Sequence, residues 1–348
     1  MSSAIPRIDI GPLFGPASPE RDRADQAIMA ASADTGFFIA AGADALAPLG
    51  PGARADLLRI FTLPEPELRK LWRQKFDPGN PNVYRGWFPL QQGFLTSKTG
   101  IDLGPDVAYG PAVVRAGDPL RERTPLPSPQ QLPGWREAVA TYYLAMERIS
   151  RALMRSIARG LGLAETHFDG AFVQGGLSTL RFIRYPLRTD ADRVAETDPT
   201  VWVEHHGERR YVTGAPHVDS GFLTLLAQDG VEGLQAQHRD GAWLDVPPVE
   251  GSLAVNFGKV LERWCGGRIK ATRHRVIGSG RERFSIPFFY EAGAEAQIAP
   301  LPIAGAAQFE PFLFGDYLWA TTTQFVEFKG MERLRTPLRR GESTTDRG

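Results

Sequence analysis

The sequence predicts an α+β protein, mainly β, with a sandwich or jelly-roll core and flanking helices. Three observations carry this prediction. From Gly176 onward the chain breaks into short apolar runs bounded by turn residues, at 180–185, 221–226, 233–237, 243–246, 253–256, 269–277 and 284–290. Many short strands at close spacing are the mark of a sandwich or barrel. The 37 Gly and 28 Pro in 348 residues supply the turns such a fold needs. Ahead of the strands, one long stripe of apolar residues at helical spacing predicts a helix that braces a sheet from outside.

Taken in order, Ile8-Asp9-Ile10 follows Pro6 and alternates as an edge strand does. Ser18-Pro19-Glu20 combines a cap, a Pro in the first turn and an acid, and opens a helix to about residue 33. Residues 36–40 read as a short buried strand, and 53–61 and 65–74 as helices. The stretch 77–133 has weak periodicity and many Gly and Pro. It reads either as a lid or binding loop or as a plain connector with aromatic anchors. In 133–160, Trp135, Val139, Tyr142, Met146, Ile149, Leu153 and Ile157 recur at three- and four-residue steps, as a core stripe does. A last helix is predicted near 315–325, and the polar tail from Thr336 is expected to fray. The expected divisions are an N-terminal α/β region (1–115), a bracing helix segment (116–175), a β core (176–292), and a C-terminal helix and tail (293–348).

Composition narrows the function. Lys+Arg 40 balance Asp+Glu 40, so nothing predicts a nucleic-acid footprint or attraction to an anionic membrane. Cys265 is the one cysteine, which excludes intramolecular disulfides and cysteine-based zinc sites and fits a reducing compartment. Residues 1–6 lack a basic region followed by an apolar core, and no apolar run reaches the length of a membrane span. A soluble cytoplasmic protein is expected.

The stretch that organises the chain is Gly214-Ala215-Pro216-His217-Val218-Asp219-Ser220-Gly221. In an extended segment, residues i and i+2 project from one face, so His217 and Asp219 can reach a common point. His274 is the candidate for a second imidazole. Two His and one carboxylate on one face of a metal form the ligand set of non-haem Fe(II) oxygenases. His274 and the run Arg283-Phe284-Ser285 read as two arms of a hairpin around Gly278-Ser279-Gly280. With the turn centred between Ser279 and Gly280, His274 lies opposite Ser285, and Val276 opposite Arg283. His274, Arg283 and Ser285 then share a cavity. A guanidinium inside an apolar strand needs an anion. Its planar fork suits a carboxylate, either that of 2-oxoglutarate or that of a protein Asp or Glu.

These motifs together carry a resemblance. His217-x-Asp219, His274-Arg275-Val276 and Arg283-x-Ser285-Ile286-Pro287-Phe288-Phe289 resemble the isopenicillin N synthase-like family of Fe(II)/2-oxoglutarate dioxygenases. Ile5-Pro6-x-Ile8-Asp9 and Gly36-Phe37-Phe38 are similar to that family's N-terminal region. Residues 180–186 are similar to its strand entering the barrel, and residues 251–258 match its strand before the distal histidine. The resemblance implies a double-stranded β-helix that holds Fe(II) through His217, Asp219 and His274. It implies 2-oxoglutarate on Arg283 and Ser285, with Tyr185 as a third contact, and O2 as co-reactant. The activity implied is hydroxylation, desaturation or cyclisation of a small organic substrate, with release of succinate and CO2. Ile183 stands where plant-type members carry Asn, and the Arg-Tyr-Pro form is closer to isopenicillin N synthase itself. An iron oxidase that does not use 2-oxoglutarate, or a non-catalytic binding protein on the same fold, are the alternatives. Tyr84, Trp87, Phe88, Lys98 and Arg184 are the candidates for the substrate pocket. His205 and His206 are expected to face solvent, and His167 and His238 to lie at the surface.

Overall fold

The computed structural model describes residues 4–303, 305, 306, 308–325 and 328–338. Thirteen strands in two sheets make its core. In chain order they are β1 (Arg7–Asp9), β2 (Phe37–Ala41), β3 (Gly86–Phe88), β4 (Thr99–Leu103), β5 (Thr179–Tyr185), β6 (Trp202–His205), β7 (Glu208–His217), β8 (Leu223–Gln228), β9 (Leu234–Gln237), β10 (Trp243–Asp245), β11 (Leu253–Phe257), β12 (His274–Ile277) and β13 (Arg283–Tyr290). The larger sheet runs β1-β2-β11-β8-β13-β5-β4-β3 and the smaller β10-β9-β12-β7-β6. The two face each other as a jelly roll. Four of the eight strands in the larger sheet, β1 to β4, come from residues 1–115.

The period of two along each strand sorts the side chains. On β5, Leu180 and Phe182 face the helix Trp135–Gly160, while Ile183 and Tyr185 turn inward. On β13, Phe288 packs edge-on against Tyr143 of that helix at 4.9 Å, and Arg283 and Ser285 lie on the inner side. The helix buries the expected stripe, including Trp135, Val139, Tyr142, Met146, Ile149, Leu153 and Ile157. Each such fully buried aliphatic side chain contributes about 1.5–3 kcal/mol. The helix Pro19–Asp34 starts as expected, with the Ser18 hydroxyl accepting from the Arg21 N–H. The inner layer between the sheets is a second apolar cluster of Phe37, Ile39, Ile183, Tyr185, Leu234, Ala236, Ala254 and Val276.

Three expectations are corrected. The stretch 77–133 is neither all lid nor all connector, because β3 and β4 extend the larger sheet beyond β5. Its Gly- and Pro-rich flanks hid two short strands. The run 202–217 forms an additional hairpin, β6–β7, that short apolar runs did not signal. Most consequentially, β12 and β13 do not pair. β12 lies between β7 and β9, and β13 lies between β5 and β8. Residues 278–282 carry the chain from one sheet to the other. The last described α-helix is Phe314–Thr322; residues 339–348, most of the expected frayed tail, lie outside the described residues. Among the described residues no helix is long and apolar enough to cross a membrane. Cys265 is free and buried, and burial pushes its thiol up to about 12.

Candidate metal centre and its pocket

His217 ends β7 and His274 begins β12, and the two are direct partners in the antiparallel ladder. Opposed residues share a face, so both rings stand on the inner side, with centroids 4.3 Å apart. Asp219 follows two residues after His217. Its Oδ1 lies 3.7 Å from Nε2 of His217 and 3.7 Å from Nε2 of His274. One ligand atom from each of the three lies within 4.8 Å of the others. The chain therefore brings the three together as expected.

The surroundings aim each donor atom. Nδ1 of His217 bonds the Ala215 carbonyl at 2.8 Å, and Nδ1 of His274 the Thr272 carbonyl at 3.1 Å. A carbonyl can only accept, so each Nδ1 carries the proton and each Nε2 offers a lone pair. Oδ2 of Asp219 accepts from the Thr224 hydroxyl at 2.6 Å and from the Asn256 amide at 2.8 Å. Thr224 and Asn256 are cross-strand partners on β8 and β11. They occupy Oδ2 and leave Oδ1 toward the imidazoles. Phe37 packs edge-on against His274 at 5.6 Å. Although 44 % of the His217 side chain stays accessible, dense surroundings and then His274 push its pKa down to about 4. Burial raises the Asp219 pKa, but His274, His217, Thr224 and Asn256 outweigh it and hold the carboxyl below its usual value. Two neutral nitrogens and one anionic oxygen suit Fe(II).

Beside these groups, Arg283 is 3 % exposed and points inward. Its placement follows from the larger sheet. Arg283 pairs with Tyr185, and Ser285 with Ile183, and these partners belong to the inner layer. Arg283 thus faces His274 across the gap between two sheets, not along one hairpin. Its Nη2 donates to Gln228 Oε1 at 3.0 Å and its Nε to the Val231 carbonyl at 3.3 Å. Its Nη1 is buried without a partner. No described Asp or Glu forms an ion pair with it. The guanidinium lies over the Tyr185 ring at 5.2 Å, and both line a small cavity with Tyr211 and Thr213. Ser285 is 2 % exposed on the same face. A buried cation with an open donor is what a carboxylate ligand requires.

The substrate candidates divide. Phe88 faces inward beneath the guanidinium groups of Arg73 and Arg181. Lys98 lies near enough to His217 to lower its pKa. Tyr84 stacks under Arg85 at 4.7 Å, and burial raises its hydroxyl. Two candidates are corrected. Trp87 packs on the far face of its strand against Phe61 at 5.3 Å. Arg184 alternates outward and pairs with exposed Glu282 at 2.7 Å. The inward cation of β5 is Arg181, whose Nη2 donates to Asp102 Oδ2 at 2.8 Å. Arg181 lies two residues before inward Ile183, so the alternation could have found it. Asp102, Arg85 and the buried Glu291 gave no such signal, because the sequence left β4 unassigned and Glu291 past the recognised motif.

A jelly roll with two imidazoles, a carboxylate and an unpaired guanidinium between its sheets defines the class of non-haem iron oxygenases, and sequence comparison agrees. The profile of the 2OG-Fe(II) oxygenase superfamily matches residues 180–292. Isopenicillin N synthase of Streptomyces clavuligerus is 31 % identical over 325 residues, covering 91 % of this chain and 94 % of that one. A 2-oxoglutarate-Fe(II) type oxidoreductase of Aspergillus fumigatus is 30 % identical over 298 residues, covering 82 % and 81 %. A full-length Neurospora crassa protein, solved in complex with alpha-KG, superposes with a TM-score of 0.73 at 23 % identity, over 92 % of this chain and 96 % of that one. The chain belongs to the 2OG-Fe(II) oxygenase superfamily. It is an oxidoreductase that uses Fe(II), 2-oxoglutarate and O2.

Proposed function

We propose that His217, Asp219 and His274 hold the iron, that Arg283, Ser285 and Tyr185 seat 2-oxoglutarate, and that the substrate is a small organic molecule. The observation that carries this reading is the set of unmet donors and acceptors on one inner face: three aimed ligand atoms and the open Nη1 of Arg283. The Neurospora crassa protein has also been solved with thymine beside alpha-KG, which sets the scale of substrate we have in mind. Residues 176–292 carry the oxygenase core, with the N-terminal region, the bracing helix and the C-terminal segment around it.

When bound, the iron supplies oxidative decarboxylation of 2-oxoglutarate to succinate and CO2, coupled to oxygenation of a substrate C–H bond. The protein's share is orientation and shielding. The carbonyls of Ala215 and Thr272 fix which nitrogen of each imidazole is free. Thr224 and Asn256 fix which oxygen of Asp219 is free. Arg283 meets the far carboxylate of 2-oxoglutarate with its fork, and Ser285 adds a hydroxyl. Ile39, Leu234, Ala236 and Val276 exclude water around them. Phe88 and Arg181, on the side of β3 and β4, bear on the choice of substrate, as does Tyr84, packed against Trp319 and Phe328.

The test is twofold. Substrate-stimulated succinate release is screened over small acids, amino acids and pyrimidines, with His217→Ala, Asp219→Ala and His274→Ala as controls expected to be inactive. An Asp219→Ala protein with full turnover would overturn the ligand assignment. In parallel, 2-oxoglutarate is titrated into anaerobic Fe(II) protein. Arg283→Lys keeps the charge but loses the fork. Losing one charge-assisted bond of about 1.5–3 kcal/mol raises the dissociation constant roughly ten- to a hundredfold, with iron affinity near normal. Unchanged 2-oxoglutarate affinity with a lower melting temperature would make Arg283 structural.

A further inference from the structure

A second group of metal-ligating side chains lies on the reverse of the smaller sheet. Along β12, His274 and Val276 face inward, so Arg275 between them faces outward. Its cross-strand partner on β9 is Gln235, and the partner of Gln235 on β10 is Asp245. The row is hydrogen-bonded. Arg275 Nε donates to Gln235 Oε1 at 2.8 Å, and Gln235 Nε2 donates to Asp245 Oδ1 at 2.9 Å. The tip of the β6–β7 hairpin folds over this row.

That tip is built in an unusual way. His205 pairs with Glu208, so His206-Gly207 is a two-residue loop. Both loop residues have positive φ, 52° at His206 and 79° at Gly207. Such loops favour Asn-Gly or Gly at these places. Adjacent residues in an extended strand point to opposite faces; the left-handed turn at His206 instead brings its ring beside that of His205, with centroids 4.1 Å apart. Nε2 of His205 lies 2.9 Å from Asp245 Oδ1, and Nε2 of His206 lies 3.1 Å from Asp245 Oδ2. The His205 side chain is only 9 % exposed, so its ring is fixed on the carboxylate. His206 is 75 % exposed and Asp245 45 %, which leaves an open side for water.

We propose that His205, His206 and Asp245 form a second cation site, for a divalent metal of the Zn²⁺ type, that pins the β6–β7 hairpin to the outer face of the smaller sheet. One ligand atom from each lies within 4.8 Å of the others. Tetrahedral bonds of about 2.0–2.1 Å put neighbouring donors about 3.3 Å apart, a few tenths of an ångström beyond the present nitrogen–oxygen separations. Two imidazoles select a borderline metal over Ca²⁺ or Mg²⁺, which want oxygen alone. Gln235 holds the carboxylate from behind, as outer partners of metal ligands do. The guanidinium of Arg275, in the same row, lies over the Trp243 ring at 4.1 Å and donates to Gln235. The site stands apart from the iron reading, which concerns the opposite face of the sheet.

The test uses the full-length chain in a His217→Ala background, so that the inner group does not contribute. The protein is stripped with a chelator and dialysed against buffered low-micromolar free Zn²⁺, and metal is counted per chain. We expect one equivalent. Adding Asp245→Asn or His206→Ala should weaken Zn²⁺ binding by at least about a hundredfold, and should abolish the rise in melting temperature that Zn²⁺ gives the parent. His206→Ala alone should keep Fe(II)-dependent succinate release, which shows that it folds. No zinc uptake by the His217→Ala chain, or uptake unchanged by Asp245→Asn, overturns the proposal.

Discussion

Thr224→Val removes one hydrogen bond and almost no volume, and it tests how Asp219 is aimed. Asp219 Oδ2 accepts two bonds, at 2.6 Å from Thr224 and 2.8 Å from Asn256. Together they stop the carboxylate from turning and hold Oδ1 at 3.7 Å from each imidazole nitrogen. A hydrogen bond to a charged group is worth about 1.5–3 kcal/mol. At about 1.4 kcal/mol per decade, its loss lowers Fe(II) affinity by roughly ten- to a hundredfold, the range usual for partners that orient metal ligands. The assay is anaerobic competition between the protein and a chromogenic chelator for Fe(II), wild type against Thr224→Val. Melting curves of the metal-free proteins confirm that both are folded. Succinate release at saturating iron should recover, because the ligands themselves remain. An Fe(II) affinity within about twofold of wild type, worth less than about half a kcal/mol, would refute the claim that Thr224 aims Asp219.

Gly258→Ala should lower both stability and Fe(II) affinity, because a Cβ there runs into the backbone of Gly221, in the loop that carries Asp219. Overpacking of this kind costs about 1–3 kcal/mol, read by denaturant melts and the same chelator competition. Asp102→Asn leaves Arg73 and Arg181 without their shared carboxylate, and Arg73 is 1 % exposed. Breaking a buried pair costs about 3–5 kcal/mol, so the urea midpoint should fall, and an unchanged midpoint would refute this. The metal-free protein should lose stability as pH falls from about 6.5 toward 4. The unfolded chain gains a proton on His217 in that window, while in the folded chain its pKa is depressed to about 4. His217→Gln should flatten that part of the pH–stability curve, and an identical curve for both proteins would show that His217 protonates freely in the folded state.

Much of the fold could be read from local pattern. The capped start of the helix Pro19–Asp34 and the stripe of Trp135–Gly160 follow from the chemistry of a few neighbouring residues. So do most strands after Gly176, since apolar runs between Gly and Pro leave few alternatives. The pairing of His217 and Asp219 two residues apart was legible for the same reason. What local pattern did not decide was which strand meets which. The glycine-flanked break at 278–280 looks like a hairpin turn, yet the chain there crosses between sheets, and His274 is paired with His217 instead. Arg283 reaches the same cavity from the larger sheet, across from His274, because its pairing with Tyr185 sets its face. Thr224 and Asn256 became partners of one carboxylate oxygen only when β8 and β11 came side by side. The same holds for Asp245, 39 residues from His206 in sequence. A sequence fixes the period and face of each strand through its own alternation, but register between distant strands comes from packing summed over the whole sheet.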